Sequence, residues 1–298
     1  MSVITLENLT KDFGNGRGIF DVSIAVRKGE CYGFLGPNGA GKSTTMRHLM
    51  GFYQPQSGKA MIEGLDCWGD QKHIQQKVGY LPGEIAFPED MTGKSYIRMI
   101  AKMRGMKDFS YEKELEDFFE INPAIELKRM SKGMKQKIGI ILSFMHKPEI
   151  LLLDEPSSGL DPLMQNKFIE LMDQFKKAGT TILLSSHMFE EVERTCDRIG
   201  IIKNGKMIRE VDAKELRHSR LKTFRMECED ETDLERILGK FPEAECNMTT
   251  HSVILSLPDS RINDLIAVLA GCKLRFLKEE KHTLEEYFMQ FYGGDAND

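Results

Sequence analysis

At 298 residues the chain is long enough for one large domain and a smaller one, or for two of middling size, and its 41% apolar and 29% charged side chains with a mean hydropathy of -0.36 are those of a folded, water-exposed protein, not of a disordered one. Its net charge of -5 speaks against a nucleic-acid binder, which needs clustered Lys and Arg. The longest apolar runs, Ile138 to Met145 and Ile150 to Leu153, fall far short of the roughly 20 residues that span a bilayer. The opening Met1-Ser2-Val3-Ile4-Thr5-Leu6-Glu7 lacks the basic-then-apolar order of a secretory signal, so a cytosolic chain is expected. Cys31, Cys67, Cys196, Cys228, Cys246 and Cys272 form no Cys-x-x-Cys pair, which favours reduced thiols over a disulfide framework or a zinc site.

Val3 to Glu7 and Val22 to Val26 alternate apolar and polar residues, which predicts two half-buried strands joined by a glycine-rich turn. Cys31 to Leu35 is a short apolar run that leads into Gly36-Pro37-Asn38-Gly39-Ala40-Gly41-Lys42-Ser43-Thr44. After it, Ser43 to Met50 is expected to form a helix ended by Gly51. The loop fits the glycine-rich phosphate-binding pattern. Glycines let backbone N–H groups turn toward phosphate oxygens, the helix N-terminus adds partial positive charge, Lys42 brings a full one, and Ser43 offers a ligand to Mg²⁺. From Pro88 to about Met145 the pattern turns helical, with Met99, Met103 and Met106 on one face at i, i+4 and i+7. A core face is expected there, with an adaptable docking surface as the alternative.

Ile150 to Leu153 and Thr181 to Leu184 are continuous apolar runs, as in strands buried on both faces of a mainly parallel sheet. A helix over Pro162 to Lys177 separates them, and the alternation predicts an α/β layered core. Asp154 and Glu155 close the first of these strands, where ligands bind in open α/β sheets. Asp154 is placed to hold Mg²⁺ and Glu155 to polarise an attacking water as general base, although acids after a strand also serve as caps. Beyond Leu216 the order is strand Thr223 to Glu227, helix Asp233 to Lys240, strands Glu243 to Asn247 and Val253 to Leu257, helix Ile262 to Ala270 and strand Leu274 to Leu277. That βαββαβ order predicts a small ferredoxin-like sandwich. Thr283-Leu284-Glu285-Glu286 is a capping-box pattern for a last short helix stopped by Gly293-Gly294.

Taken with these motifs, residues from about 3 to 215 resemble the ATP-binding subunits of ABC transporters. Met130-Ser131-Lys132-Gly133-Met134-Lys135-Gln136 resembles the family signature Leu-Ser-Gly-Gly-Gln, with Ser131 and Gly133 kept and Lys132 and Met134 in place of the first glycine and the glutamine. The resemblance implies that this segment contacts the γ-phosphate of ATP bound to a partner subunit, while the residues alone also allow a plain serine N-cap. Ser158-Gly159-Leu160-Asp161 resembles the loop that couples the two sites across the dimer. His187 matches the switch histidine near the γ-phosphate. Phe13 lies where the family carries an aromatic that stacks on adenine. After Val78-Gly79-Tyr80-Leu81-Pro82 the family's glutamine is replaced by Gly83 and then Glu84, which leaves open whether Glu84 takes its place.

The expected fold is therefore α/β. A P-loop ABC ATPase domain over 1–216, with an N-terminal antiparallel β part and a helical subdomain at about 88–145, precedes a small α+β ferredoxin-like domain over 217–298. The resemblance implies hydrolysis of ATP with Mg²⁺ by a homodimer. Lys42, Glu155 and His187 are then catalytic, Phe13, Gly36 to Thr44, Ser131, Gly133 and Asp161 contact nucleotide, and Ser43 and Asp154 hold the metal. The implied partners are a second copy and separate transmembrane permease subunits at the cytoplasmic face, with no nucleic acid, as in bacterial exporters of drugs, antibiotics and lipids. The rival is a soluble ABC ATPase acting on ribosomes or DNA, disfavoured because the sequence has neither a second ATPase domain nor a long coiled coil. A kinase or switch-type NTPase is disfavoured by Ser131-x-Gly133 and His187.

Overall fold

Alternating residues at the N-terminus fold as two long antiparallel strands, β1 (Ser2–Asp12) and β2 (Gly18–Arg27), in a computed structural model that describes residues 1–213 and 222–280. Their inward positions are Ile4, Leu6, Leu9, Ile19, Val22, Ile24 and Val26, all buried. The chain then passes through β3 (Cys31–Leu35), α1 (Lys42–Leu49), β4 (Ser57–Ile62), β5 (Leu65–Asp66), α2 (Gln71–Lys77) and β6 (Val78–Leu81). Three helices follow, α3 (Gly93–Met103), α4 (Ser110–Phe118) and α5 (Lys132–Phe144), and then β7 (Ile150–Asp154), α6 (Pro162–Lys177), β8 (Thr181–Ser186), α7 (Phe189–Thr195), β9 (Arg198–Lys203) and β10 (Lys206–Asp212).

These strands make two sheets. One is antiparallel in the order β2-β1-β4-β5, and the other runs β10-β9-β3-β8-β7-β6, parallel from β9 to β6 with β10 antiparallel at its edge. Every residue of β3, β7 and β8 is buried, as continuous apolar runs require. Met46 and Leu49 of α1 share one core with Ile4 and Ile24 of the first sheet and Phe34, Leu152 and Leu183 of the second. That shared packing fixes the helix start that follows the glycine loop.

The helical stretch contains the expected helices, but the methionine face is turned outward. Helix α3 buries Gly93, Ile97 and Ala101, one stripe at four-residue spacing, so side chains two positions away lie on the opposite side. Met99 and Met103 are accordingly 37% and 78% exposed, which corrects the expectation of a core face. Thr92 caps α3 by accepting from the Ser95 amide, and Lys94 joins α3 to α4 through Glu112 at 2.9 Å and Glu116 at 2.7 Å.

His146, just beyond α5, is pushed down to about 4 by burial and by the neighbouring Arg104. A histidine held neutral in the fold but free to protonate when unfolded contributes stability that is fully present above its unfolded pKa and lost as pH falls through the folded one. Between about pH 7 and about pH 4.5 the native chain is expected to lose about 2 kcal/mol more than His146→Gln, as measured by urea unfolding.

The chain divides into two compact units, Met1–Asp212 and Ala213–Asp298; a boundary at 216 lies among residues outside the described set. The second unit holds β11 (Lys222–Cys228), α8 (Glu231–Lys240), β12 (Glu245–Asn247), β13 (Ser252–Leu257), α9 (Ile262–Leu269) and β14 (Leu274–Glu280). Its strands are antiparallel in the order β12-β13-β11-β14, so the element order is βαββαβ. Met226, Leu234, Ile237, Phe241, Val253, Leu255, Leu257 and Leu265 form its core. The helix expected after Thr283 lies outside the described residues. Among the described residues no helix is long and apolar enough to cross a membrane.

Candidate functional site

Three strand ends open at one edge of the parallel sheet. In its order β3 lies beside β8 and β8 beside β7, with Leu35 opposite Ser186 and Asp154 opposite Ser185. The glycine loop after β3, the acidic pair at the end of β7 and Ser185-Ser186-His187 at the end of β8 are therefore neighbours, at the carboxyl edge where α/β sheets bind ligands.

The glycine loop turns sharply at Gly41, whose φ of 110° is a conformation that only glycine adopts freely. A Cβ there would also lie 2.6 Å from Ile19 Cγ2. The Gly41 carbonyl accepts from the Thr45 amide and hydroxyl, each at 3.0 Å. Helix α1 starts at Lys42, so the first-turn N–H groups, those of Lys42, Ser43 and Thr44 among them, have no acceptor within the helix. Lys42 is only 4% exposed. Its ammonium curls back over the loop, donating to the carbonyls of Gly36 at 2.7 Å and Pro37 at 3.1 Å, and pairs with Glu155 Oε1 at 3.2 Å.

Glu155 has a φ of 48°, a strained value for a residue with a side chain. Its amide donates to the Ser185 carbonyl at 3.0 Å, which holds that turn. The carboxylate is thereby set between Lys42 and His187, whose Nδ1 lies 3.1 Å from Oε2. His187 is itself 47% exposed. Asp154 is buried and accepts from the Ser185 hydroxyl. Register between β6 and β7 pairs Leu81 with Leu153 and brings Gly83 against the same carboxylate, so that a Cβ on Gly83 would stand 3.1 Å from Asp154 Oδ2. Glu84 is exposed. A serine hydroxyl at a helix start and a buried carboxylate, both hard oxygen donors, fit Mg²⁺, and a lysine over a glycine loop fits phosphate.

Ser131 caps α5 by accepting from the Met134 amide at 3.2 Å. The start of that helix is knit to the segment after Glu155 by three contacts. Lys132 Nζ donates to Ser158 Oγ at 3.0 Å, Gly133 approaches the Gly159 carbonyl so closely that a Cβ would be 2.6 Å from it, and Gln136 donates to the Pro156 carbonyl at 2.7 Å. Asp161 caps α6 through the Met164 amide at 3.0 Å. Phe13 is 50% exposed, with its ring edge-to-face on Tyr53 at 5.5 Å.

The structure thus gathers Lys42, Glu155 and His187 directly, with Asp154 beside them. Ser131 and Asp161 act locally as helix caps, Gly133 packs on the 156–159 loop, and Phe13 pairs with Tyr53. Ser185, Gln136 and Tyr53 join the site through contacts that the sequence does not announce. Two serines ending an otherwise apolar buried strand were a readable sign for Ser185; nothing local marks the other two.

Residues 19–158 match the family model described as ABC transporter. The linearmycin resistance ATP-binding protein of Bacillus subtilis is 36% identical over 211 residues, 69% of this chain and 68% of that protein. A bacitracin transport ATP-binding protein of Enterococcus faecalis is 31% identical over 306 residues, spanning 98% of this chain and 97% of that one. A solved dimeric bacterial ABC transporter cassette superposes with a TM-score of 0.64 at 21% identity, over 70% of this chain and 98% of that one, and shares its fold. On relatives of this extent, the chain belongs to the ABC transporter family and is one of its ATP-binding, ATP-hydrolysing subunits.

Proposed function

We propose that two copies of this chain sandwich two ATP molecules and, by hydrolysing them, drive separate membrane subunits that export a drug, antibiotic or lipid-like substrate. The observation that carries the proposal is the gathering of Lys42, Glu155 and His187 over the glycine loop in a chain whose Ser131 and Gly133 make other contacts. One chain supplies half of a site, and the Ser131 segment of a second copy completes it. Bound Mg²⁺ neutralises phosphate charge, and Ser43 and Asp154 are the residues that would hold it.

Lys42 exchanges Glu155 for the γ-phosphate when nucleotide enters the loop. Glu155, released from the ammonium, orients the attacking water and takes its proton, and His187 steadies the charge that builds on the phosphate. Backbone N–H groups from Gly36 to Thr44, with Pro37, Asn38, Gly39, Ala40 and Gly41 shaping the curve, cradle the phosphates. Phe13, backed by Tyr53, stacks on adenine. Asp161 and the 158–161 loop pass the state of one site to the other. Residues 217–298 support or regulate the dimer.

The helical stretch from Pro88 to Asn122, with its exposed Met99 and Met103, is the proposed contact with the membrane subunits, at the cytoplasmic face of the membrane. Adaptable methionine faces suit such docking. The names of the relatives, bacitracin transport and linearmycin resistance, support an antibiotic-type substrate, and no nucleic acid enters the scheme. The test is affinity purification of the tagged chain from detergent-solubilised membranes of its own host. A multi-helix membrane protein is expected to come with it; recovery free of membrane protein, bound to ribosomes or DNA, overturns the transport reading.

A further inference from the structure

We infer that Glu191 is a positioning residue that sets the switch histidine, an inference that rests on the role given to His187 above. Glu191 lies in the first turn of α7 and is only 4% exposed. Its Oε2 accepts from the Ser186 hydroxyl at 2.6 Å. That same hydroxyl oxygen accepts from the Met188 amide at 2.9 Å. The turn that carries His187 is therefore closed by a single hydroxyl, whose one proton has its shorter acceptor in Glu191, the Met188 carbonyl lying at 3.4 Å.

The other carboxylate oxygen, Oε1, is buried, in a carboxyl that also faces the Ser157 hydroxyl. Ser157 in turn touches the Met188 sulfur at 3.9 Å. Glu191 stands between the turn 186–188 and the segment after Glu155, the two pieces of chain whose side chains meet in the His187–Glu155 contact. A buried carboxyl is costly, and burial pushes its pKa up. Packing alone asks only for an apolar side chain here. What a carboxyl adds is an acceptor with the reach to orient the Ser186 hydroxyl. His187 is half-exposed and is held at its ring by the contact with Glu155, so its place depends on that turn. Without that anchor the Ser186 side chain is free to change rotamer, which carries its oxygen away from the Met188 amide, and the imidazole drifts from the reacting phosphate.

The experiment measures kcat and KM for MgATP in single variants and one double variant. Glu191→Ala is expected to lower kcat by ~10- to ~100-fold, the scale on which a displacement of about 1 Å acts, with KM for ATP changed by less than about twofold because the glycine loop is untouched. Glu191→Gln, whose amide oxygen accepts from Ser186 equally well, restores most of the rate. Glu191→Asp, one methylene shorter, does not. Ser186→Ala lowers kcat to a similar degree, and the double variant Ser186→Ala/Glu191→Ala falls no further than the worse single one, as residues acting through one contact do.

A kcat for Glu191→Ala within about twofold of the native value overturns the inference, as does rescue by Asp where Gln fails, because charge and not reach is then what matters. If Glu191→Ala gives no cooperative melting transition, the Gln and Asp variants decide on their own. His187→Ala separates the two layers. Low turnover in it beside normal turnover in Glu191→Ala defeats the positioning inference alone; full turnover in His187→Ala defeats the histidine's role and this inference with it.

Discussion

Glu155→Gln is expected to lower steady-state ATP hydrolysis by ~100- to ~10,000-fold, the range typical of a lost general base, while ATP binding persists. The carboxylate lies 3.2 Å from the Lys42 ammonium and 3.1 Å from His187 Nδ1. A glutamine has the same length and still accepts from the histidine, but it takes no proton from water. It also gives up the ion pair with Lys42, so the ammonium is more available to phosphate and affinity does not fall. Phosphate-release kinetics together with titration of a fluorescent ATP analogue separate these effects. An unchanged rate removes Glu155 from the chemistry.

Lys42→Met is the second large effect and acts on binding. Lys42 makes three contacts at once, two to carbonyls of the loop and one to Glu155, and it brings the only full positive charge of the glycine loop. Hydrogen bonds to a charged group contribute about 1.5–3 kcal/mol, so ATP affinity is expected to fall by about 10- to 100-fold, measured by isothermal titration calorimetry. The change also leaves the carbonyls of Gly36 and Pro37 without the donor that closes the loop, and Glu155 without its cation. The nucleotide-free variant should therefore melt at a lower temperature than the native chain. Unaltered affinity contradicts the phosphate reading of the loop.

Much of this site is written locally. Cys31–Leu35 and Pro162–Lys177 have the bounds that their apolar runs and flanking residues predict, because an apolar run bounded by glycine or proline needs no distant partner to be recognised. The glycine loop and the acids after β7 are legible for the same reason. The strand Ser57–Ile62 is not legible locally, since its pairing with β1 is set by neighbours far off in sequence, and the two-residue Leu65–Asp66 only adds to it. The methionine stripe shows the opposite limit. Its period identifies a helix, yet which stripe faces inward is decided by Ile97 and Ala101 packing on the rest of the protein.

The finer site is non-local throughout. Gly83 meets Asp154 only because β6 pairs with β7 in one register, and Ser185 reaches Asp154 only because β8 lies beside β7. A side chain at 83 would start 3.1 Å from that carboxylate, so the glycine found there is matched to its neighbour and is more than a missing glutamine. Lys132, read in the sequence as a departure from the family signature, proves to be a link from α5 to Ser158.

The central claim is that each ATP site is completed by a second chain through Ser131 and Gly133. Light scattering of the Glu155→Gln protein with and without ATP tests it most directly, repeated with Ser131→Asp added. A mass near twice the chain's 34.0 kDa is expected only when ATP is present. A return to monomer is expected in the double variant, which still binds ATP through its intact glycine loop, because an aspartate at 131 still caps α5 but brings negative charge to the face meant for the γ-phosphate. A Glu155→Gln protein that stays monomeric with ATP, or a double variant that dimerises as well as the single one, contradicts it.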